Sequence, residues 1–244
     1  MDKDKVSIFR NTLRAIALVA LVGSSAPALA DSIASEMPIG ATYEGSVKVS
    51  RTQIPLPPGK WTVTALNESS NNQFNTNATV TMANIVNGRL LGYISVSTNV
   101  DLGRNGWQTY NFCFRKDIYF LHFDSAYQRE QACWGINHHI FSPTGTYSPT
   151  YGKNIQQALA EKGIDMPKVM INTVFRLANE HSYVNYEILL NPEFYGFSST
   201  GESNWASSPW HKDLIAKDPK RRQFLDQVKE QYQGFYPILK NQFR

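Results

Sequence analysis

The chain of 244 residues contains no apolar run of about 18 residues, which excludes a protein that spans a membrane many times. It contains only two cysteines, too few for a cysteine-dense miniprotein or a four-cysteine zinc site. Its hydrophobic fraction of 42% and charged fraction of 18% are those of an ordinary globular protein, so a disordered or collagen-like chain is also excluded.

The usual motifs of catalysis are missing as well. There is no zincin helix, no glycine-rich phosphate loop, no Cys-x-x-Cys pair and no dinucleotide fingerprint. The stretch Gly196–Gly201 has one residue too many for a nucleophile elbow. The stretch Asp101–Gly106 resembles half of a calcium loop, but Phe112 stands where the bidentate glutamate should be. We interpret both stretches as loops and predict neither a cofactor nor a metal ion.

The first 30 residues have the organisation of an export signal. Lys3, Lys5, Arg10 and Arg14 give the segment a charged start, and the apolar run 15–22 follows. Ala28 and Ala30 then supply the small side chains that signal peptidase requires. We predict a signal peptide over 1–30 and a mature chain that begins at Asp31, in the periplasm or outside the cell. An uncleaved anchor, the alternative, needs about 20 apolar residues, so no transmembrane segment is expected in the mature chain.

The net charge gives no support for nucleic-acid binding. Removal of four basic and two acidic residues with the leader lowers the net charge from +4 to +2, with 20 basic against 18 acidic residues remaining. The basic pI therefore comes partly from the export signal, and no nucleic-acid partner is expected.

Export also bears on the two cysteines. In an oxidising compartment Cys113 and Cys133 are expected to form a disulfide. The alternative is a metal site built from both cysteines and one of His122, His138 or His139, whose spacing matches no compact ligand motif.

Residues 46–141 are rich in Val, Ile, Thr and aromatic residues with a period of two, which is typical of strands. Asn87-Gly88 predicts a hairpin with a type I′ turn, because both residues accept positive φ. Trp61, Val63 and Ala65 are expected on one face of the first strand. Further turns predict consecutive strands over Trp107–Phe114, Ile118–Phe123 and Gln131–Phe141.

The pattern changes after Pro149. A short helix is predicted over Asn154–Lys162, and a second hairpin over Lys168–Leu177 and Tyr183–Leu190. Asp218-Pro219 marks the start of a C-terminal helix, which Pro237 should kink or end.

Together these elements predict an α+β fold. An antiparallel β meander, arranged as a sandwich or an open barrel, is followed by a mixed segment with a C-terminal helix. We expect a single domain over 31–244, β-rich over 46–141 and mixed over 150–244. Two domains that meet near residues 144–150 are the alternative.

His138 and His139 are adjacent in a predicted strand, so their side chains point to opposite faces and cannot hold one ion together. His138 shares its face with Trp134, Ile136 and Ile140. This pattern is typical of a histidine in or beside the core, and a catalytic or ligand role is the alternative.

Two features indicate a binding surface. The Gly/Ser-rich stretch Phe194–Trp210 carries several aromatic rings, which either pack into the core or form a stacking platform for a glycan, peptide or protein. Lys220, Arg221 and Arg222 lie in the first turn of the last helix, where the macrodipole favours anions, so they are either a solvated face or an anion site. The candidate binding residues are Tyr195, Phe197, Trp205, Trp210, Lys220, Arg221 and Arg222.

The run Ile54-Pro-Leu-Pro-Pro-Gly-Lys-Trp61, together with the two-cysteine region and the segment around Trp210, resembles uncharacterised exported proteobacterial proteins. This resemblance implies a bacterial periplasmic or exterior location and supplies no functional residues.

Three functions remain open. The first is a soluble, non-enzymatic envelope or secreted protein whose aromatic loop binds a cell-envelope component or a protein partner. The second is a hydrolase outside the cytoplasm, with a His and carboxylate site assembled from distant segments. Its candidate residues are His138, His139, His181, His211, Asp124, Glu187 and Glu193. The third is a structural part of an envelope assembly.

Overall fold

The structure is a computed structural model, and it describes residues 33–70, 76–103, 106–127, 129–141, 151–198 and 204–243. The signal peptide expected over 1–30 lies outside these ranges. Ten strands are described: β1 Thr42–Tyr43, β2 Ser46–Val49, β3 Thr52–Pro55, β4 Trp61–Ser70, β5 Thr76–Val86, β6 Arg89–Asn99, β7 Phe120–Ser125, β8 Ala132–Ile140, β9 Val169–Ala178 and β10 Tyr183–Leu190.

The helices are short, apart from one near the C-terminus. They are α1 Ile33–Glu36, α2 Tyr151–Ala160, α3 Lys212–Ile215, α4 Pro219–Tyr232 and α5 Phe235–Gln242, with 3-10 turns over Asn111–Phe114 and Pro192–Tyr195. Among the described residues no helix combines the length and the apolar character needed to cross a bilayer.

Eight strands form one antiparallel sheet in the order β1-β4-β5-β6-β10-β9-β8-β7, and β2 and β3 form a separate hairpin. The predicted α+β class, with a large antiparallel sheet and a C-terminal helix, is confirmed. Two runs of sequential strands, β4 to β6 and β7 to β10, join where β6 pairs with β10. The strands that follow residue 150 therefore lie in the middle of the sheet.

Both predicted hairpins are confirmed. Asn87 and Gly88 connect β5 to β6 and have φ angles of 51° and 73°. Both angles are positive, as a type I′ turn requires. Between β9 and β10, the side-chain oxygen of Asn179 accepts hydrogen bonds from the backbone N–H groups of His181 and Ser182, at 2.9 and 2.8 Å. An asparagine that hydrogen-bonds the backbone just after it stabilises a tight turn.

Two local predictions are wrong. The strand predicted over Trp107–Phe114 is an irregular segment that ends in a 3-10 turn. The expectation that Ala65 shares a face with Trp61 and Val63 also fails, because the β4–β5 register shifts between Val63 and Ala65. A bulge adds one residue and reverses the faces that follow it. As a result Asn67 points to the same side of the sheet as Thr79.

The main hydrophobic core lies between one face of the sheet and the elements α1, the β2–β3 hairpin, α4 and α5. Trp61 is fully buried there, and its indole Nε1 donates to the Pro57 carbonyl at 2.8 Å. Tyr186 Oη donates to the Pro55 carbonyl at 2.7 Å. The proline-rich run thus anchors the start of β4 on the core, and its carbonyls satisfy two buried polar groups.

The C-terminal helix begins as predicted, because the Asp218 side chain accepts from the Arg221 backbone N–H at 3.1 Å and Pro219 occupies the first helical position. It is divided in two, since α4 ends at Tyr232 and α5 restarts after Gly234. Pro237 lies in the first turn of α5, where its missing N–H has no intrahelical acceptor to lose. The interruption therefore precedes the proline.

Cys113 and Cys133 are joined by a disulfide, as predicted, with a Cα–Cα distance of 5.7 Å. Both cysteines are buried, and they pack with Phe112, Ile118 and Val174. The bond fixes the irregular segment 107–118 to β8, on the face of the sheet opposite the main core.

Candidate functional site

A cavity of about 530 Å³ lies on the sheet face that points away from the main core. The apolar side of α2 covers one end, where Ile155 and Leu159 pack with Tyr93 and Leu189. The segment 107–118 covers the other end, where Phe112 and Ile118 pack on Val174. The cavity is thus a space between two apolar contacts on one side of a sheet, large enough for a small molecule.

The floor of this cavity is polar. Residues that alternate along β6 and β10 point to opposite faces, so Ile94, Val96 and Ile188 face the core while their neighbours face the cavity. On the cavity side Ser95 pairs with Glu187, and Ser97 pairs with Asn185. The polar floor residues are Asn67, Thr79, Ser95, Ser97, Asn137, Asn172, Asn185 and Glu187.

Among the described residues that line the cavity, Glu187 is the one acidic residue. Its Oε1 accepts a hydrogen bond from Tyr110 Oη at 3.0 Å, and its Oε2 accepts one from Asn172 Nδ2 at 2.9 Å. Burial raises the pKa of Glu187 above its ordinary value, and the two hydrogen bonds oppose that rise. A carboxyl group with a raised pKa in a cavity is a recognised mark of a functional site.

A buried arginine, Arg176, holds the segment 107–118, which carries Tyr110, in place over the sheet. Arg176 donates to Gln131 Oε1 at 3.1 Å, to Asn185 Oδ1 at 3.0 Å and to the Gln108 carbonyl at 2.9 Å. Gln131 Oε1 also accepts from the backbone N–H of Tyr110 at 2.8 Å. Burial lowers the pKa of Arg176 to about 10, so it remains charged at neutral pH. The arginine and the disulfide together fix the position of Tyr110 over the sheet.

Arg115 and Trp205 form the rim of the cavity. Arg115 donates to both carboxylate oxygens of Asp117 at 2.8 Å, which lowers the pKa of Asp117. Its guanidinium lies 4.5 Å from the centroid of the Trp205 ring. Trp205 also stacks on His138, with ring centroids 4.9 Å apart and planes within 5°. The indole of Trp205 is therefore already engaged by two partners.

His138 is buried on the face of β8 that carries Trp134 and Ile136, as predicted, and near the end of this strand it also borders the cavity beside Trp205. Its Nε2 lies 3.0 Å from the Trp205 carbonyl oxygen. Burial lowers the pKa of His138 to about 4, and it does the same for His139 on the opposite face. Both imidazoles are consequently neutral at pH 7.

The structure separates the residues that the sequence singles out in the aromatic stretch. Phe197 and Trp210 are buried in the main core, with their ring centroids 5.1 Å apart. Both rings also pack on Phe224. Tyr195 is exposed at 42% and lies against Phe224, with centroids 5.0 Å apart. Trp205 alone of this group lines the cavity. Two of the rings thus stabilise the fold from within.

The cations at the start of α4 contact these buried rings. Lys220 Nζ lies 5.1 Å from the Phe197 centroid, and the Arg221 guanidinium lies 5.2 Å from the Trp210 centroid. Arg221 also pairs with Asp218. Arg222 is exposed. Cation–π contacts and the Asp218 pair therefore offset the unfavourable macrodipole at this helix start.

The residues considered for a hydrolase are dispersed. His138, His139 and Glu187 line the cavity. Asp124 accepts from Tyr236 Oη at 2.9 Å and pairs with Lys240 and His122 at the sheet edge. The remaining three lie elsewhere: His181 contacts the Gly103 carbonyl, His211 caps α3, and Glu193 is exposed. In the part of the chain that the structure describes, no group of three His, Cys, Asp or Glu residues is arranged to hold a metal ion.

Most polar residues of the site are not predicted from the sequence, among them Tyr110, Asn172 and Arg176. The available signal is polar residues within otherwise apolar strands, since Asn172 and Arg176 interrupt the apolar sequence of β9. In a strand buried on both sides, such residues need partners, so they indicate a polar network on one face.

No family model matches the chain, and neither a curated protein nor a solved structure matches it significantly.

Proposed function

We propose that this chain is an exported protein of the bacterial envelope or exterior that binds a small polar molecule in the cavity on the sheet. The observation that carries the proposal is the polar floor, which lies beneath two apolar contacts in the middle of the sheet. Polar groups in such a place cost free energy unless they find hydrogen-bond partners.

The floor offers groups that a ligand can use. Asn172 is buried, and its Oδ1 has no hydrogen-bond partner among the described residues, while its Nδ2 holds Glu187. Amides and hydroxyls both donate and accept, so they suit a ligand with several polar groups. Trp205, from the aromatic stretch, contributes to the rim.

Export is supported by two features. The charged and apolar leader ends in Ala28-Leu-Ala30, and the chain carries a buried disulfide of the kind that forms in oxidising compartments. The resemblance of the Ile54–Trp61 run to exported proteobacterial proteins points the same way.

The test uses the mature chain from Asp31 and a panel of small polar molecules followed by ligand-observed NMR. Ser95→Leu fills the floor beside Glu187 and should abolish binding of any ligand found. Ser46→Leu is the matched control, since it makes the same change on an exposed strand position outside the cavity. Circular dichroism checks that both variants fold. Undiminished binding by folded Ser95→Leu would contradict the proposal.

A hydrolase is the second candidate, and Glu187 favours it. A carboxyl group with a raised pKa beside a phenol 3.0 Å away can transfer a proton to or from a bound substrate. Chemical conversion of the bound ligand by the wild type, and its loss in Glu187→Gln, would identify this activity.

A further inference from the structure

Glu187 is a carboxyl group for which the described residues supply no ion-pair partner. Its two carboxylate oxygens accept hydrogen bonds from neutral groups, the Tyr110 hydroxyl and the Asn172 amide. Within the described residues no lysine, arginine or histidine forms an ion pair with it. A half-buried carboxylate without a counter-ion is costly, and this loss of water contact raises the pKa of Glu187.

The cations near the cavity are engaged elsewhere. Arg176 uses its guanidinium on Gln131, Asn185 and the Gln108 carbonyl. Arg115 is paired through two hydrogen bonds with Asp117. His139 is neutral at pH 7, because burial lowers its pKa to about 4. Among the described residues that line the cavity, Arg115 is therefore the one positive charge at pH 7, and it is already paired with Asp117, so an anionic ligand would gain little from it and would lie beside Glu187.

Aromatic rings surround the same space. Tyr93 and Phe141 form an edge-to-face pair at 6.2 Å on one side, and Tyr110 and Phe112 stack at 6.3 Å on the other. Tyr93 lies two residues from the direct strand partner of Glu187, so it is a diagonal neighbour on the same face, within reach of a long side chain. The faces of aromatic rings attract cations.

We infer that the cavity binds a small organic ammonium ion, with its positively charged nitrogen on the Glu187 carboxylate. The inference rests on the proposed function of the cavity and names the class of its ligand. The ammonium group supplies the missing counter-ion and donates hydrogen bonds to this half-buried carboxylate. Asn137, Asn185 and the serines of β6 then accept from or donate to the other polar groups of the ligand.

The test compares pairs of ligands in which one member carries a positively charged nitrogen and the other carries a neutral group in its place. Isothermal titration calorimetry on the mature chain uses two probe pairs: glucosamine with glucose, and ethanolamine with ethylene glycol. We expect at least one ammonium member to bind and its neutral counterpart not to bind. Glu187→Gln should weaken that binding at least about tenfold, as expected for loss of a charge-assisted hydrogen bond. Glu230→Gln, on the exposed side of α4, should leave it unchanged.

Several results would overturn the inference. These are equal binding of the charged and neutral members, unchanged affinity in folded Glu187→Gln, and no binding of any ammonium probe at millimolar concentration. If Glu187→Gln does not fold, the comparison of paired probes on the wild type still shows whether the cavity prefers the ammonium member. A neutral ligand displaced by Ser95→Leu would refute the ammonium class and leave the binding cavity intact, so the two proposals fail separately.

Discussion

Loss of the Cys113–Cys133 disulfide should weaken the fold and the cavity together. The bond closes a loop of 20 positions, and a cross-link over such a loop stabilises the native state by about 3 kcal/mol through the restricted unfolded chain. Cys113 also lies three residues after Tyr110, whose hydroxyl holds Glu187 at 3.0 Å. Release of this segment leaves its hydrogen bonds with Arg176, Gln131 and Glu187 as its main polar attachments to the sheet.

The assay is urea unfolding followed by tryptophan fluorescence. It compares the oxidised wild type, the same protein in reductant, and the Cys113→Ala/Cys133→Ala variant. Alanine is chosen because both sites are buried and a serine hydroxyl would need a partner. We expect the unfolding free energy to fall by about 3 kcal/mol in the last two samples, and the variant should not respond to reductant. A reduced protein within about 1 kcal/mol of the oxidised one would refute the reasoning.

Three further changes test other parts of the structure. The folded-state pKa of Glu187 lies above its unfolded value of 4.5, so ionisation removes stability as pH rises through it. Glu187→Gln should therefore raise the unfolding free energy at neutral pH and leave it unchanged below pH 4.5, as urea titrations at both pH values can measure. Gly92→Ala places a Cβ 2.4 Å from the Leu189 carbonyl and should cost about 1–3 kcal/mol, whereas Gly234→Ala meets nothing within 4 Å; equal melting temperatures for the two would contradict this. Asp218→Ala removes the α4 cap at a cost of about 1 kcal/mol, and Asp218→Asn should retain most of it in thermal unfolding. The Arg221 backbone N–H, through its hydrogen bond, lowers the pKa of Asp218, so the contribution of its charge should disappear as pH falls through that pKa.

The features that the sequence predicts well depend on short-range chemistry. Asn87 and Gly88 accept the positive φ of the turn that they form, and Asp218 and Pro219 cap and begin α4 through contacts within one helical turn. The segment Trp107–Phe114 has a strand-like composition, but a disulfide and the side chain of Arg176 hold it across the sheet face. Such long-range contacts override local preference.

The site was harder to predict because its parts are distant along the chain. Asn185 and Glu187 alternate with apolar residues in β10, which is also the ordinary pattern of a strand with one face in water. Only the packing of α2 and of segment 107–118 turns that face into a cavity. Tyr110 and Glu187 are 77 positions apart, and no spacing rule connects them.

Because residues alternate in β6 and β10, one face of these strands packs in the core and the other lines the cavity. Ile94 and Val96 hold the sheet against the helices, while Ser95 and Ser97, which alternate with them, face the cavity. Under the proposed function, substitution at the serines should change what the cavity binds, and substitution at their neighbours should change the stability of the fold. Specificity in this scaffold can therefore diverge by exchange of a few side chains while the architecture persists.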